Sequence, residues 1–242
     1  MMKKHLVALA AILCMAGTAV AQSTIFNMPT TDTVSSGHCY TEQDLEARFT
    51  PLAQGGYETV LPRLDCGVSK TVEVGANFAY FRSSDPSSAE IQPNIKWRFY
   101  TKKNFALSAG GVSYLPVNRW QGSDAFALLY ANASEKFSGK YGPRLTFGGY
   151  GLVNRADNTG SKAGIMAGIE QPLATIHSAS ISFVTDWLSG KNRPGLEADR
   201  FGYVTPGISV GLPHNNGFDV GWSMGNQGAR NNGLYVWFGH TW

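Results

Sequence analysis

The chain has 242 residues, with 20 Lys and Arg against 17 Asp and Glu. Charged residues make up 15% of it, compared with about 25% in ordinary soluble domains. This balance excludes a nucleic-acid partner, which needs a basic face. With 28 glycines and 12% aromatic residues, the composition is typical of a secreted β-sandwich or of a membrane β-barrel.

The first 21 residues predict a secretory signal peptide. Lys3 and Lys4 precede an uncharged run over 6–20, and Ala19-Val20-Ala21 has the small-x-small pattern of a cleavage site. The run is too short for a spanning helix. We therefore expect cleavage after Ala21, a leader over 22–37 and a single β-barrel domain over 38–242.

The leader carries Ile25, Phe26 and Met28 among threonines, serines and prolines. The sequence leaves two interpretations open: a plug folded into the periplasmic mouth of the barrel, or a loose tail that awaits a partner.

Two cysteines of the processed chain, Cys39 and Cys66, flank the first predicted hairpin. In an oxidising compartment these thiols can pair; the alternative is two isolated apolar side chains. The five histidines are scattered and give no zinc-like ligand spacing. We predict neither a metal site nor a cofactor.

Strand signals separated by turn residues recur from residue 38 to the last residue. An alternative for the first segment is a helix over 41–52, capped by Thr41. The twelve predicted strands are 39–50, 57–67, 70–82, 89–101, 104–115, 124–135, 143–153, 163–173, 178–189, 200–211, 217–226 and 232–242.

A two-residue alternation decides the fold class. Over 90–99, every even position is polar and every odd position is apolar, as in Gln92, Lys96 and Arg98 against Ile95 and Trp97. Successive side chains of a strand point to opposite faces. A soluble β-sandwich would show the same pattern as a membrane β-barrel, so three further features are needed to choose between these two folds.

These features concern strand length, connections and the final strand. The segments cluster near ten or eleven residues, the length of a tilted membrane-spanning strand. Short links, such as 102–103 and 174–177, alternate with long polar ones, such as 154–162 and 190–199. The chain stops inside a strand, which a closed barrel can pair with the first strand. Together they predict a closed antiparallel transmembrane β-barrel of about twelve strands.

The final strand resembles the C-terminal recognition signal of bacterial outer-membrane barrels, through Leu234, Val236, Phe238 and Trp242. It departs from that signal at His240, where an aromatic residue is usual. The resemblance implies the barrel-assembly machinery as a partner.

Three further segments resemble a group of bacterial barrel proteins without an assigned function: 23–29 (STIFNMP), 92–97 (QPNIKW) and 186–192 (DWLSGKN). This resemblance implies the fold and a location in the Gram-negative outer membrane, among lipid and lipopolysaccharide. It implies no catalytic residue.

The predicted lumen-facing side chains are charged, and twelve strands enclose a space between a side-chain-filled barrel and a water channel. We predict a narrow passive channel for small polar or charged solutes. The alternative is a sealed barrel that acts through its outer loops. The candidates are Glu42, Asp44, Glu46, Arg48, Arg63, Asp65, Glu73, Glu90, Lys96, Arg98, Arg144, Glu170, Asp186 and Asp219.

A lipid-modifying enzyme is the third hypothesis. Such a barrel would need a serine beside a lipid-facing histidine. His240 is the one histidine that we place on that face within a strand, and Ser223 on the neighbouring strand faces the lumen. We therefore predict no catalytic residue and no enzyme.

Large aromatic residues near strand ends or outward positions predict interfacial girdles. These are Trp97, Phe99, Trp187, Phe218, Trp222, Trp237 and Phe238.

Overall fold

The computed structural model describes residues 24–54, 56, 58–82, 88–117, 125–153, 163–190, 202–225 and 232–242. The predicted signal peptide, 1–21, and parts of the long loops lie outside these ranges. One 3-10 turn, Leu52–Gln54, interrupts the β-structure. In the described ranges, no helix is long and apolar enough to cross a membrane.

Twelve strands form one closed antiparallel barrel, which confirms the predicted fold class. A separate hairpin in the leader pairs β1 (Thr24–Ile25) with β2 (Met28–Pro29). The barrel strands are β3 Cys39–Arg48, β4 Glu58–Gly67, β5 Val72–Arg82, β6 Ser88–Lys102, β7 Phe105–Pro116, β8 Phe126–Lys136, β9 Arg144–Val153, β10 Ala163–Ile176, β11 Ala179–Leu188, β12 Tyr203–Leu212, β13 Asn216–Gly225 and β14 Gly233–Thr241.

The last strand closes the barrel onto the first. β14 pairs with β3 along its whole length, and the N–H groups of Cys39 and Trp242 each donate to the other's carbonyl at 2.9 Å. Every barrel strand therefore has a partner on both sides, and no unpaired edge is left in the sheet. The segment for which a helix was the alternative is strand β3.

The two ends of the barrel differ in their connections. At one end, here called the short-turn end, the links are 68–71, 103–104, 137–143, 177–178 and 213–215. Several of these turns are tight enough to need a positive φ, as at Lys103 (52°) and His214 (60°). The opposite end, the long-loop end, carries the links 49–57, 83–87, 117–125, 154–162, 189–202 and 226–232.

The alternation of the sequence becomes an inner and an outer face. On β6, Gln92 and Lys96 are buried, whereas Ile91 and Ile95 are 46% and 53% exposed on the outside. Exposed apolar side chains continue around the barrel. They include Leu45, Leu64, Phe78, Leu129, Phe147, Ile165, Ile169, Ile208, Val220 and Phe238. Such a surface is suited to the hydrocarbon layer rather than to water.

One aromatic residue predicted for the outer girdle is misplaced. Trp237 faces the interior and is 3% exposed, next to the inward-facing Tyr235. Its odd position on β14 gives it the opposite orientation from Phe238, which is exposed. Strand parity, and not residue type, decides which face an aromatic side chain occupies.

Most strand bounds differ from the prediction by one to three residues. β3 ends at Arg48 rather than at residue 50, and β12 is described as Tyr203–Leu212 rather than 200–211. β10 extends to Ile176, three residues beyond its predicted end. Its register shifts between Pro172 and Ala174, and a bulge of this kind disturbs the local alternation from which an end is predicted.

Candidate functional site

The inner wall of the barrel carries the predicted ionisable residues. All fourteen lie on the inner face or at its mouth. Glu42, Asp44, Arg63, Asp65, Glu73, Glu90, Lys96, Asp186 and Asp219 are buried. Arg48, Glu46, Arg144 and Glu170 keep side-chain exposures below 20% in their ion pairs. Arg98 is half-buried at the short-turn end.

Ion pairs join these side chains across neighbouring strands. Arg63 contacts Glu42 through Nε at 3.3 Å and Asp44 through Nη2 at 2.5 Å. The Nζ atom of Lys96 lies 3.1 Å from a carboxylate oxygen of Glu73. Because buried charges need partners, these pairs explain how a charged wall is accommodated.

A second group of charges is shared with the leader. Arg144 on β9 bonds both Glu170 on β10 and Asp32 of the leader. Burial raises the pKa of Asp32, but Arg144, with smaller contributions from Lys96 and Arg98, lowers it by more in total, so that this pKa lies below its ordinary value. Asp32 therefore carries its negative charge into the mouth of the barrel.

The leader lies inside the barrel. Its β1–β2 hairpin contacts β10 and β11, and Ile25, Phe26, Met28 and Val34 are fully buried. The segment has the position of the plug that the sequence left open. It reaches beyond the mouth, because Met28 belongs to a buried cluster in the half of the barrel nearer the long loops.

The turn of the leader hairpin is held by a single carboxylate. The main-chain N–H groups of Asn27 and Met28 both donate to Oδ2 of Asp186, at 2.7 and 2.8 Å. Phe26, the first turn residue, has a φ of 37°, a conformation that non-glycine residues adopt only when the surroundings enforce it. Asp186 and the wall around Phe26 supply that constraint.

Glycines of the wall form a seat for the Phe26 ring. A Cβ atom added at Gly221 on β13 would lie 2.5 Å from Cζ of Phe26, and the same distance applies to Gly207 on β12. The ring of Tyr235 packs edge-on against it, with centroids 5.2 Å apart. Only glycine leaves room for the phenyl ring at these two positions.

The root of the leader is fixed to the barrel at the short-turn end. Gly37 N–H donates to the Gly67 carbonyl at 2.9 Å, and Gly67 N–H donates to the His38 carbonyl at 3.0 Å. In the structure Cys39 and Cys66, which oppose each other in β3 and β4, form a disulfide. The leader thus enters the lumen from a covalently closed hairpin.

The leader leaves part of the lumen empty. A cavity of about 730 Å³ is bordered by Asp32, Lys136, Arg144 and Glu170. Another, of about 580 Å³, is bordered by Asp32, Lys70 and Arg98. Both are at the short-turn end, and Asp32 of the leader lines both of them.

In the described part of the chain, no nucleophile is aligned with the ring of the outward-facing His240. The His240 ring contacts Oδ1 of Asn216 through Nδ1 at 3.1 Å. The Thr41 hydroxyl, in register with His240, donates to the His240 carbonyl at 3.3 Å rather than to the ring. Ser223 is buried inside and bonds Thr205 at 3.1 Å. Among the described residues, no group of His, Cys, Asp and Glu could hold a metal ion.

Other predicted residues lie on the outer surface of β14. Leu234, Phe238 and Trp242 are exposed there, and Val236 is half-buried. These four side chains therefore share the outward face at the end of the chain.

Sequence reasoning missed the residues that position the leader. Asn132 and Tyr235 of the wall contact it directly, Asp32 of the leader bonds Arg144, and Gly207 and Gly221 form its seat. Strand parity alone would have placed the wall residues inward. Nothing local to the leader indicates which of them it contacts.

The fold and its charged, occupied interior define the class: a β-barrel of the bacterial outer-membrane type. No family model and no curated protein matches the sequence. In structure the chain is similar to the outer membrane channel from Pseudomonas putida F1, with 12% identity over 86% of this chain and 96% of that chain and a TM-score of 0.52. It also matches the β domain of the Bordetella autotransporter BrkA, with 11% identity over 85% of this chain and 98% of that chain and a TM-score of 0.44. The first similarity bears out, at the level of the fold, the resemblance to outer-membrane barrels.

Proposed function

We propose that this chain is a solute channel of the Gram-negative outer membrane, and that its leader closes the lumen in the state described here. The exposed apolar belt supports the membrane location. In outer-membrane barrels the short turns face the periplasm. We therefore place the short-turn end of this barrel in the periplasm, where the assembly machinery would meet β14.

The observation that carries the proposal is a separate segment inside a charged wall. Barrels of eight strands are filled by the side chains of their own wall. Here the wall leaves room for residues 24–36 of the leader and for two cavities beside it. If the leader withdraws, the vacated space and the cavities form one passage, lined by the charged wall residues and by the apolar side chains that surround Phe26 and Met28.

The charges of the wall predict the selectivity of that passage. The fourteen lumen residues comprise nine carboxylates and five basic side chains. A passage lined by excess negative charge attracts cations and repels anions. We therefore expect small cations to permeate in preference to anions.

Conductance of refolded protein in a planar bilayer tests this proposal. The full chain should open rarely, and a variant that lacks residues 24–34 but keeps the disulfide should conduct steadily, with a cation-selective reversal potential. Heat-modifiable gel migration shows whether each protein is a folded barrel.

A sealed barrel is the second candidate, favoured by the complete burial of Ile25, Phe26 and Met28. It predicts that neither protein conducts above background although both are folded. That result would rule out the channel.

A further inference from the structure

The wall of the lumen recognises the leader mainly through its main chain. Tyr235 donates to the Phe26 carbonyl at 3.3 Å, and Asn132 donates to the Pro29 carbonyl at 2.6 Å. Together with the two N–H groups held by Asp186, these bonds pair carbonyls with donors and amides with a carboxylate around the whole turn.

The same pattern continues towards the mouth. Nζ of Lys96 donates to the Asp32 carbonyl at 2.6 Å, and Val34 N–H donates to Oε2 of Glu73 at 2.8 Å. Side chains of the leader also contact the wall, through the Asp32 carboxylate bonded to Arg144 and a long contact of 3.4 Å between Arg63 and Thr24. Peptide amides and carbonyls are common to every sequence, so these wall groups could bind another peptide equally well.

Two apolar seats add selectivity to this main-chain recognition. Gly207 and Gly221 leave space for an aromatic ring, occupied by Phe26. Two positions later, Met28 packs among Tyr114, Tyr130 and other buried side chains of the wall. Pockets for particular side chains beside main-chain hydrogen bonds are how proteins select peptides in general.

We infer that the lumen is a peptide-binding site, and that the leader occupies it as an internal ligand. The ligand class is a short peptide with an aromatic residue followed two positions later by a long apolar one such as methionine. This inference rests on the proposed function in one respect: the bound peptide would be the solute that the channel admits.

The experiment uses the full chain with Phe26→Ala, which weakens the internal ligand and removes no wall group. The probe is a fluorescent synthetic peptide with the sequence of residues 24–34, and anisotropy measures its binding. A second peptide keeps only the phenylalanine and the methionine and has alanine or serine elsewhere. A third is the first peptide N-methylated at the amides that correspond to Asn27 and Met28.

We expect the second peptide to bind within about tenfold of the first, and the third to bind at least about tenfold more weakly, because its two amides can no longer donate to a buried acceptor. Adding Asp186→Ala should abolish the difference between the first and third peptides. Glu90→Gln, a change at a lumen carboxylate that accepts a hydrogen bond from Gln92 at 3.0 Å, should preserve it.

Two results would overturn the inference. Equal binding of the first and the methylated peptide would show that the wall does not recognise the main-chain amides. Binding of the first peptide but not of the second would show that the site is specific for the leader sequence. Conductance of the variant that lacks residues 24–34 separates this inference from the channel: peptide binding to the Phe26→Ala chain, with no conductance from the folded deletion variant, supports the site and refutes the channel.

Discussion

Replacing Gly221 by alanine should release the leader without disturbing the barrel. The new Cβ would lie 2.5 and 2.8 Å from Cζ and Cε1 of Phe26 and 3.0 Å from Cγ2 of Thr205. All of these atoms belong to side chains, so the strand itself meets no backbone obstacle. The ring of Phe26 is fully buried and has to leave its seat.

The magnitude follows from the burial of that ring. Complete burial of a phenylalanine side chain contributes about 2 kcal/mol, and about 1.4 kcal/mol corresponds to a tenfold change in an equilibrium. Loss of the seat should therefore raise the released fraction of the leader roughly thirtyfold. Hydrogen exchange of the leader amides, followed by mass spectrometry on the folded protein in detergent, measures this fraction.

Gly217→Ala is the matched control, since Gly217 lies on the same strand and face but its added Cβ would first meet Trp237, at 3.3 Å. Exchange of the leader should rise in Gly221→Ala and stay unchanged in Gly217→Ala. In a Phe26→Ala background, Gly221→Ala should add little. An equal rise in both glycine variants, or a full additional effect without the Phe26 ring, would refute the reasoning.

Three further predictions concern the leader and its root. Asp186→Ala leaves two main-chain N–H groups of the turn without their acceptor, at a cost of about 2–4 kcal/mol. Hydrogen exchange of the leader amides should therefore rise at least about thirtyfold, while the barrel still migrates as folded. Unchanged exchange would contradict this prediction. Replacing both Cys39 and Cys66 by serine opens a loop with a sequence separation of 27 and should lower the free energy of unfolding in denaturant by about 3–4 kcal/mol; an unchanged midpoint would argue against it. The basic side chains around Asp32, Arg144 first, lower its pKa. Asp32 should therefore stabilise docking fully above the usual carboxyl pKa of about 4 and lose this effect as the pH falls through the lowered pKa. Wild type and Asp32→Asn should differ in leader exchange at neutral pH and converge in acid; a constant difference would disprove the charge pairing.

The barrel could be predicted from the sequence because each strand carries its own pattern. The even and odd positions of 90–99 assign both faces of β6 without reference to any other part of the chain. The same parity rule would have placed Trp237 inside, where residue type alone suggested the outer girdle. Local alternation is a strong signal because a shift of one residue in the register would move every side chain of the strand to the opposite face.

The position of the leader could not be predicted in this way. Met28 and Asp186 are 158 residues apart, and the leader has neither a strand period nor a helical one. Its binding depends on which wall residues lie opposite each other after the barrel closes. The presence of Ile25, Phe26 and Met28 indicated an apolar segment, but only the assembled wall shows the glycine seat and the carboxylate that hold it.

The bonded pair Cys39 and Cys66 stands directly beside the point where the leader joins the wall. If the leader withdraws as proposed, the peptide chain that joins it to this fixed point keeps it from diffusing away, and its local concentration near the lumen stays in about the millimolar range of a short flexible tether. Reclosure is then a first-order event within one molecule. Its rate should be the same for a single barrel in a large vesicle as for a densely packed membrane, and dilution cannot hold the passage open.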